Sequence, residues 1–348
     1  MTLPDRLLIV LFGAIGDVTR ALPLATRIKR ANQSLEISWA VEPASYELVR
    51  SCPAVDKVFL FERGKGFSAY LRFIREIKAE RFPVVLDLQR HLKSGCTSFF
   101  SRAPVRVGFH PRNTKECNFL FNNRYIAAAP HYSGKIYHYQ LFGDFFGLPK
   151  LDSLCAELPD TFRGEMSALV SQEAAAVGAA GMPRENRVAL IIGGQWQSRI
   201  WHTAHYQRFI TTLYEREGVV CFLIGNRGEA KLAGEILSGV EVPVVNLVEK
   251  TKLIELPSLF REMSLVVGSD SGPAHIAAAV GVPVIGLFGP TTPLRSAAYG
   301  GEQRALQSPV ACSPCYRREC PGLNRLCMES IAPDAVYARV MQLREGSA

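Results

Sequence analysis

The segment 266–275 reads Val-Val-Gly-Ser-Asp-Ser-Gly-Pro-Ala-His: an apolar run, then a small polar turn, then a helix opened by Gly272 and Pro273. Proline is tolerated at the first helical position because its missing N–H would have no partner there. A strand that feeds such a turn aims free backbone N–H groups and the positive end of a helix dipole at one spot, which suits an anion, commonly phosphate. A second glycine turn, Gly289-Pro290-Thr291-Thr292, follows the next apolar run. Two such turns on neighbouring strands predict one pocket for a phosphorylated ligand, with Ser271, Gly272 and Pro273 against the phosphate. Asp270 could accept from a sugar hydroxyl or from backbone N–H groups of its own turn. His275, one helical turn further on, suits packing or capping as readily as catalysis.

Three other places carry candidate chemistry. Near the N-terminus, Gly13-Ala14-Ile15-Gly16-Asp17 follows an apolar run. Asp17 is either a helix-capping carboxylate or a general base. The turn is not G-x-G-x-x-G and has no spaced ribose-binding acid, which argues against a nicotinamide cofactor. In the second half, Gly193-Gly194-Gln195-Trp196-Gln197-Ser198-Arg199-Ile200-Trp201 again follows an apolar run. Arg199 could clamp a phosphate through its fork of N–H donors or be a solvated loop residue, and the tryptophans could stack on a base or cover the loop. Cys312, Cys315, Cys320 and Cys327 have spacing that suits a small structural Zn²⁺ knuckle or, without metal, a thiol-rich loop.

These residues need elements to hold them. Apolar runs at 7–12, 36–41, 57–61, 84–88 and 105–109 alternate with amphipathic stretches, and 188–192, 219–224, 244–247, 265–268 and 284–288 repeat the habit. Such alternation predicts an α/β protein with parallel sheets covered by helices on both faces. The length of 348 residues suits two domains. We expect Rossmann-like, doubly wound domains at 1–165 and 166–330, facing a central cleft, and a C-terminal helix over 331–348. Ligands of such sheets sit beyond the carboxyl ends of the strands, where the turns above all fall.

The charge balance is 40 basic against 32 acidic residues, net +8, which favours anionic partners. Arg90, Lys93, Arg102, Arg106, Arg112, Lys115, Arg124 and Lys135 crowd the later first domain among Phe109, Phe119 and Tyr125. They form either a solvated rim or a landing site for a polyanionic acceptor. No nucleic-acid-binding motif or dense basic tract is present, so nucleic acid is not an expected partner. No apolar stretch reaches the roughly 18 residues of a membrane span, and the first apolar run is too short for a secretion signal. A cytoplasmic protein with peripheral inner-membrane contact is expected.

Taken together, these segments resemble glycosyltransferase family 9, the lipopolysaccharide heptosyltransferases, and in particular heptosyltransferase II-like members. Residues 268–292 resemble the family's donor-site signature. Gly16-Asp17-Val18 with Leu22-Pro23, Asp87-Leu88-Gln89 with Leu92-Lys93-Ser94, and Arg106-Val107-Gly108 resemble its first-domain motifs. Lys250-Thr251 with Glu255-Leu256, and the cysteine segment, resemble its later ones. The resemblance implies a GT-B fold and inverting transfer of heptose from ADP-heptose to the lipopolysaccharide inner core, with no obligatory cofactor or catalytic metal. It implies Asp17 as general base and Arg199, Asp270, Ser271, Gly272, Pro273 and His275 as donor-binding residues. Glu229 is expected on the nucleoside ribose, and Arg90 and Lys93 on the acceptor. Arg199 stands where the family usually has lysine, which keeps the charge and changes a point donor into a fork. Arg20 stands where some members have histidine, and Gly193-Gly194 departs from the commoner Pro-Gly-Ala loop. Another sugar donor, or a sugar-nucleotide epimerase on the same architecture, is the alternative.

Overall fold

Leu7, Leu8, Ile9 and Val10 are consecutive and all fully buried. Only a parallel strand covered on both faces hides every residue of such a run. The computed structural model describes residues 2–130 and 132–346. The chain divides into two compact units, Met1–Pro159 and Asp160–Ala348.

In the first unit, β1 (Arg6–Val10), β2 (Glu36–Val41), β3 (Lys57–Leu60), β4 (Val84–Asp87), β5 (Val105–Gly108) and β6 (Arg124–Tyr125) form one sheet in the order β3-β2-β1-β4-β5-β6. In the second, β7 (Arg187–Ile191), β8 (Val220–Ile224), β9 (Val244–Asn246), β10 (Leu265–Ser269), β11 (Val284–Phe288) and β12 (Leu306–Gln307) repeat that order as β9-β8-β7-β10-β11-β12. Every described pairing is parallel. Ten of the twelve strands are the apolar runs of the sequence. The edge strands β6 and β12 are two residues each and have no apolar run to announce them.

The order 3-2-1-4-5-6 reverses direction between its first and fourth strands, and that switch opens a crevice at the strand carboxyl ends. In the first unit the crevice lies between β1 and β4, where Val10 pairs with Asp87. In the second it lies between β7 and β10, where Gly268 pairs with Ile191. A side chain at Gly268 would strike Ile191 Cβ at 2.9 Å, so glycine lets these two strands close up just below the turn.

The helix Arg163–Ala176 packs on the helix Leu256–Arg261, and Pro333–Glu345 packs on Thr203–Glu217, all within the second unit. In the first unit, helix Ile15–Ala31 is bound to helix Lys135–Phe145 by Arg27. This buried guanidinium donates to the carbonyls of Gln140, Leu148 and Pro149 and pairs with Asp144 at 2.7 Å. Gly143 leaves the room, since a Cβ there would lie 2.5 Å from Arg27 Nη1. No helix among the described residues is long and apolar enough to cross a membrane.

Candidate active site

Asp17 is the third residue of helix Ile15–Ala31, whose N-cap is Ala14 with no side-chain hydrogen bond. The carboxylate therefore does not cap the helix. It pairs instead with Arg20 Nη2 at 2.6 Å and Lys135 Nζ at 2.9 Å, with its side chain 27 % exposed. Enclosure alone would raise its pKa; the Lys135 and Arg20 charges outweigh that and hold the carboxyl well below the usual carboxylate range. Lys135, grouped by sequence with a diffuse basic rim, is here a specific partner of Asp17. It opens the Lys135–Phe145 helix, and the Arg27 clamp fixes that helix alongside Ile15–Ala31.

Around the same crevice, Gln89 Oε1 accepts from Gly13 N at 3.0 Å and ties the β1 turn to the end of β4. Asp87 is fully buried; burial pushes its carboxyl pKa up, against hydrogen bonds from Asn118, Ser94, Asn122 and the Gln89 amide. It is scaffold for the turn. Arg90 and Lys93 follow β4, and each cation lies 5.0 Å from an aromatic centroid, Phe109 and Phe61 respectively. Arg106, expected on the landing surface, donates instead to the carbonyls of Phe121 and Ala103. That placement makes it a structural residue.

The second unit gathers its candidates at β7 and β10. Arg199 closes the short 3₁₀ turn Gln197–Arg199, lies 3.8 Å over the Trp196 ring, and donates to Asp270 O at 2.6 Å. A second guanidinium nitrogen lies 3.3 Å from Asp270 Oδ2. At 15 % exposure it is a fixed cation, not a solvated loop arginine. Trp201 does not stack on a ligand. It is buried in the apolar core and donates to Ile331 O.

Ser271 is the N-cap of helix Gly272–Ala279, with Pro273 in its first turn, as the sequence predicts. His275 is buried beneath it, with Nε2 3.6 Å from Asp270 Oδ1. The interior space behind this turn is only about 10 Å³, enough for at most one water. Ser271 Oγ and Thr291 Oγ1 are hidden from solvent and meet no hydrogen-bond partner among the described residues. A buried hydroxyl left so costs about 1–3 kcal/mol, and one such hydroxyl stands at each glycine turn. Glu229, the last residue of the short 3₁₀ turn Arg227–Glu229 that follows β8, uses Oε2 to accept from Asn226 N at 2.8 Å in a capping box. The rest of its carboxylate lies against Gly193, where a Cβ would be 2.3 Å from Glu229 Cδ.

The zinc expectation is corrected by the structure. Among the described residues no group of three or more His, Cys, Asp or Glu is placed to hold a metal ion. Cys312 and Cys315 are exposed, whereas Cys327 is buried in the core of the second unit. The segment instead braces the Gly289 turn and the loop that carries Arg199. Ser313 Oγ donates to Gly289 O, Tyr316 N to Pro290 O, Ser198 Oγ to Arg317 O, and Arg325 Nη1 to Ile200 O.

Twin parallel six-stranded sheets of this order, each with a crevice at its switch point, are the GT-B architecture. The sequence profile of Glycosyltransferase family 9 (heptosyltransferase) matches residues 70–325, and the chain belongs to that family. It is similar to lipopolysaccharide core heptosyltransferase OpsX of Haemophilus influenzae, at 25 % identity over 299 residues, covering 85 % of this chain and 82 % of that protein. It is also similar to lipopolysaccharide heptosyltransferase 1 of Pseudomonas aeruginosa, at 26 % identity over 328 residues, covering 90 % and 87 %. In fold it matches the E. coli heptosyltransferase WaaC solved with ADP, with TM-score 0.73, 20 % identity, and coverage of 97 % of this chain and 99 % of that one.

Proposed function

We propose that this glycosyltransferase moves heptose from ADP-heptose to the inner core of lipopolysaccharide, acting from the cytoplasm as a peripheral partner of the inner membrane. The observation that carries the donor side is the pair of buried, unpartnered hydroxyls, Ser271 and Thr291, beside the fixed Arg199 cation. The similarity to lipopolysaccharide heptosyltransferases, and to a neighbour solved with ADP, supports the choice of sugar, acceptor and nucleotide.

In this reading the second unit holds the diphosphate. Backbone N–H groups at the start of helix Gly272–Ala279 and the Arg199 guanidinium stabilise the charge that develops as ADP leaves. Asp270 and His275 keep that turn and Arg199 in place. Glu229 faces the ribose. The first unit supplies Asp17, with Arg90 and Lys93 on the acid groups of the acceptor. Asp17 takes the proton of the acceptor hydroxyl as its oxygen bonds to the anomeric carbon and the carbon–diphosphate bond breaks, with inversion. A carboxylate held at low pKa is a weak base but is fully ionised at neutral pH. It suits a proton transfer that comes late, once the attacking oxygen has already become acidic.

The test is incubation of purified protein with ADP-heptose and a heptose-deficient core acceptor. Release of ADP and a mass gain of one heptose on the acceptor are expected. Turnover of the donor without acceptor would point to an epimerase, and transfer of a different nucleotide's sugar to another donor class.

A further inference from the structure

We propose that helices Gly66–Ala79 and Leu92–Phe100 of the first unit form a docking face for an anionic lipid bilayer. The two helices pack side by side on one face of the sheet, joined by Tyr70 Oη and Thr97 Oγ1 at 3.3 Å. Their inner sides bury Phe73, Ile74 and Ile77, with Ser94, Thr97 and Ser98. Their outer sides are not the polar surface that a water-facing helix pair needs. Phe67 is 72 % exposed, Phe99 48 % and Phe100 50 %, and these are the exposed phenylalanines among the described residues. Leu71 and Leu92 are exposed beside them. Phe67, Leu71 and Arg75 succeed one another at four-residue spacing, so they lie in one row.

Each row runs down to cations. Arg75, Lys78, Arg81 and Arg102 line one depression of about 770 Å³ at the carboxyl ends of the two helices. Arg81 and Arg102 stand just past those ends in left-handed backbone, φ 52° and 61°, where glycine is the relaxed choice. A helix carboxyl end attracts cations, which accounts for one charge at each helix. It does not account for four converging with no carboxylate bound. None of the four makes an ion pair among the described residues, and the nearby Glu80 is already held by Arg6 and Lys57. Exposed aromatics flanked by unpaired Lys and Arg match the chemistry of a headgroup boundary, with rings at the acyl edge and cations on lipid phosphates. The proposal rests on the functional reading above only for its purpose, which is to hold the enzyme where a lipid-anchored acceptor is found.

The test is co-sedimentation of the purified full chain with vesicles of phosphatidylcholine alone or with one-third phosphatidylglycerol, with no donor or acceptor present. Binding to the anionic vesicles only, weakened by high salt, is expected. Each cation near such a surface is worth roughly five-fold in partition, so R75E/K78E/R81E/R102E should lower binding by at least about a hundred-fold. F67S/F99S/F100S should lower it as well, and R75K/R81K/R102K should keep it. An unchanged circular-dichroism spectrum and thermal unfolding transition certify that each variant is folded. Equal binding to both vesicle types, or a charge-reversed variant that binds like the parent, overturns the proposal. So does a dimer that the phenylalanine variant disrupts in the absence of vesicle binding. Because no sugar transfer is measured, failure here leaves the transferase reading standing, and loss of transfer leaves this one standing.

Discussion

Lys135 Nζ sits 2.9 Å from Asp17 Oδ1, across 118 residues of chain. The contact is made by packing, not by local sequence, because the Arg27 clamp sets the two helices side by side with their N-terminal ends together. A carboxylate that sequence offers as a cap or a base is thereby held ionised at neutral pH at the crevice of the first sheet.

The first prediction follows from that ionisation. Asp17→Asn keeps the shape and removes proton acceptance, so kcat should fall by about 10²–10⁴-fold, the usual weight of a general base. ADP affinity should be unchanged, since the proposed reading assigns ADP to the second unit and Asp17 belongs to the first. Turnover within a few-fold of the parent protein, measured by ADP release, would remove Asp17 from the chemistry.

The second concerns pH. With Lys135 and Arg20 in place the Asp17 pKa is depressed, so the acid limb of kcat/KM should lie below the ordinary carboxylate range. Lys135→Met removes one of the two charges, and the limb should move upward. The same shift carries a stability sign. A depressed folded pKa gives stability that is present above the unfolded value of about 3.9 and is lost as pH falls through the lower, folded one. Lys135→Met should therefore lower Tm at neutral pH, and the gap should close in acid. A pH–rate profile that does not move would show that Lys135 leaves the base untouched.

Arg199 gives a third prediction. Its guanidinium is stacked on Trp196 and fixed by Asp270, so it meets an arriving diphosphate without reorganising. Arg199→Ala should weaken ADP binding by about ten- to a hundred-fold, the range for a hydrogen bond to a charged group. Lysine should restore part of it, because it returns the charge but not the fork. Calorimetry reads both. Equal ADP affinity in the alanine variant would place Arg199 outside the donor site.

How far the sequence reveals this molecule depends on the range of each interaction. The ten long strands are legible because a parallel strand buried on both faces must be apolar throughout, as Leu7 to Val10 are. The Ser271 turn is legible because a strand, a small turn and a helix N-terminus are adjacent in the chain. β6 and β12 are not, because two residues carry no period. Lys135 is not, because a lysine's sequence neighbours say nothing of a carboxylate over a hundred residues away. The cysteine spacing suggests metal, but ligation depends on how the side chains converge in space, and among the described residues no group of three or more is placed to hold an ion. Trp201 looks like a stacking platform in sequence and turns out to be core.

The last prediction separates the two roles open to Glu229. Its carboxylate already closes a capping box on Asn226, and it leans on Gly193 so closely that an added methyl would overlap it at 2.3 Å. Gly193→Ala must push Glu229 aside, and overpacking of this kind costs about 1–3 kcal/mol. Glu229→Ala alone loses the cap, typically about 1 kcal/mol, and opens the space the methyl needs. The double variant should then be no less stable than Glu229→Ala, a clear departure from additivity in thermal unfolding. ADP affinity tells the second half. If Glu229 meets the ribose, both single variants and the double should weaken ADP binding, whereas AMP lacking its 2′-hydroxyl should bind the parent and the variants alike. If all three variants bind ADP as the parent does, the carboxylate is a cap and nothing more, and the ribose is held elsewhere.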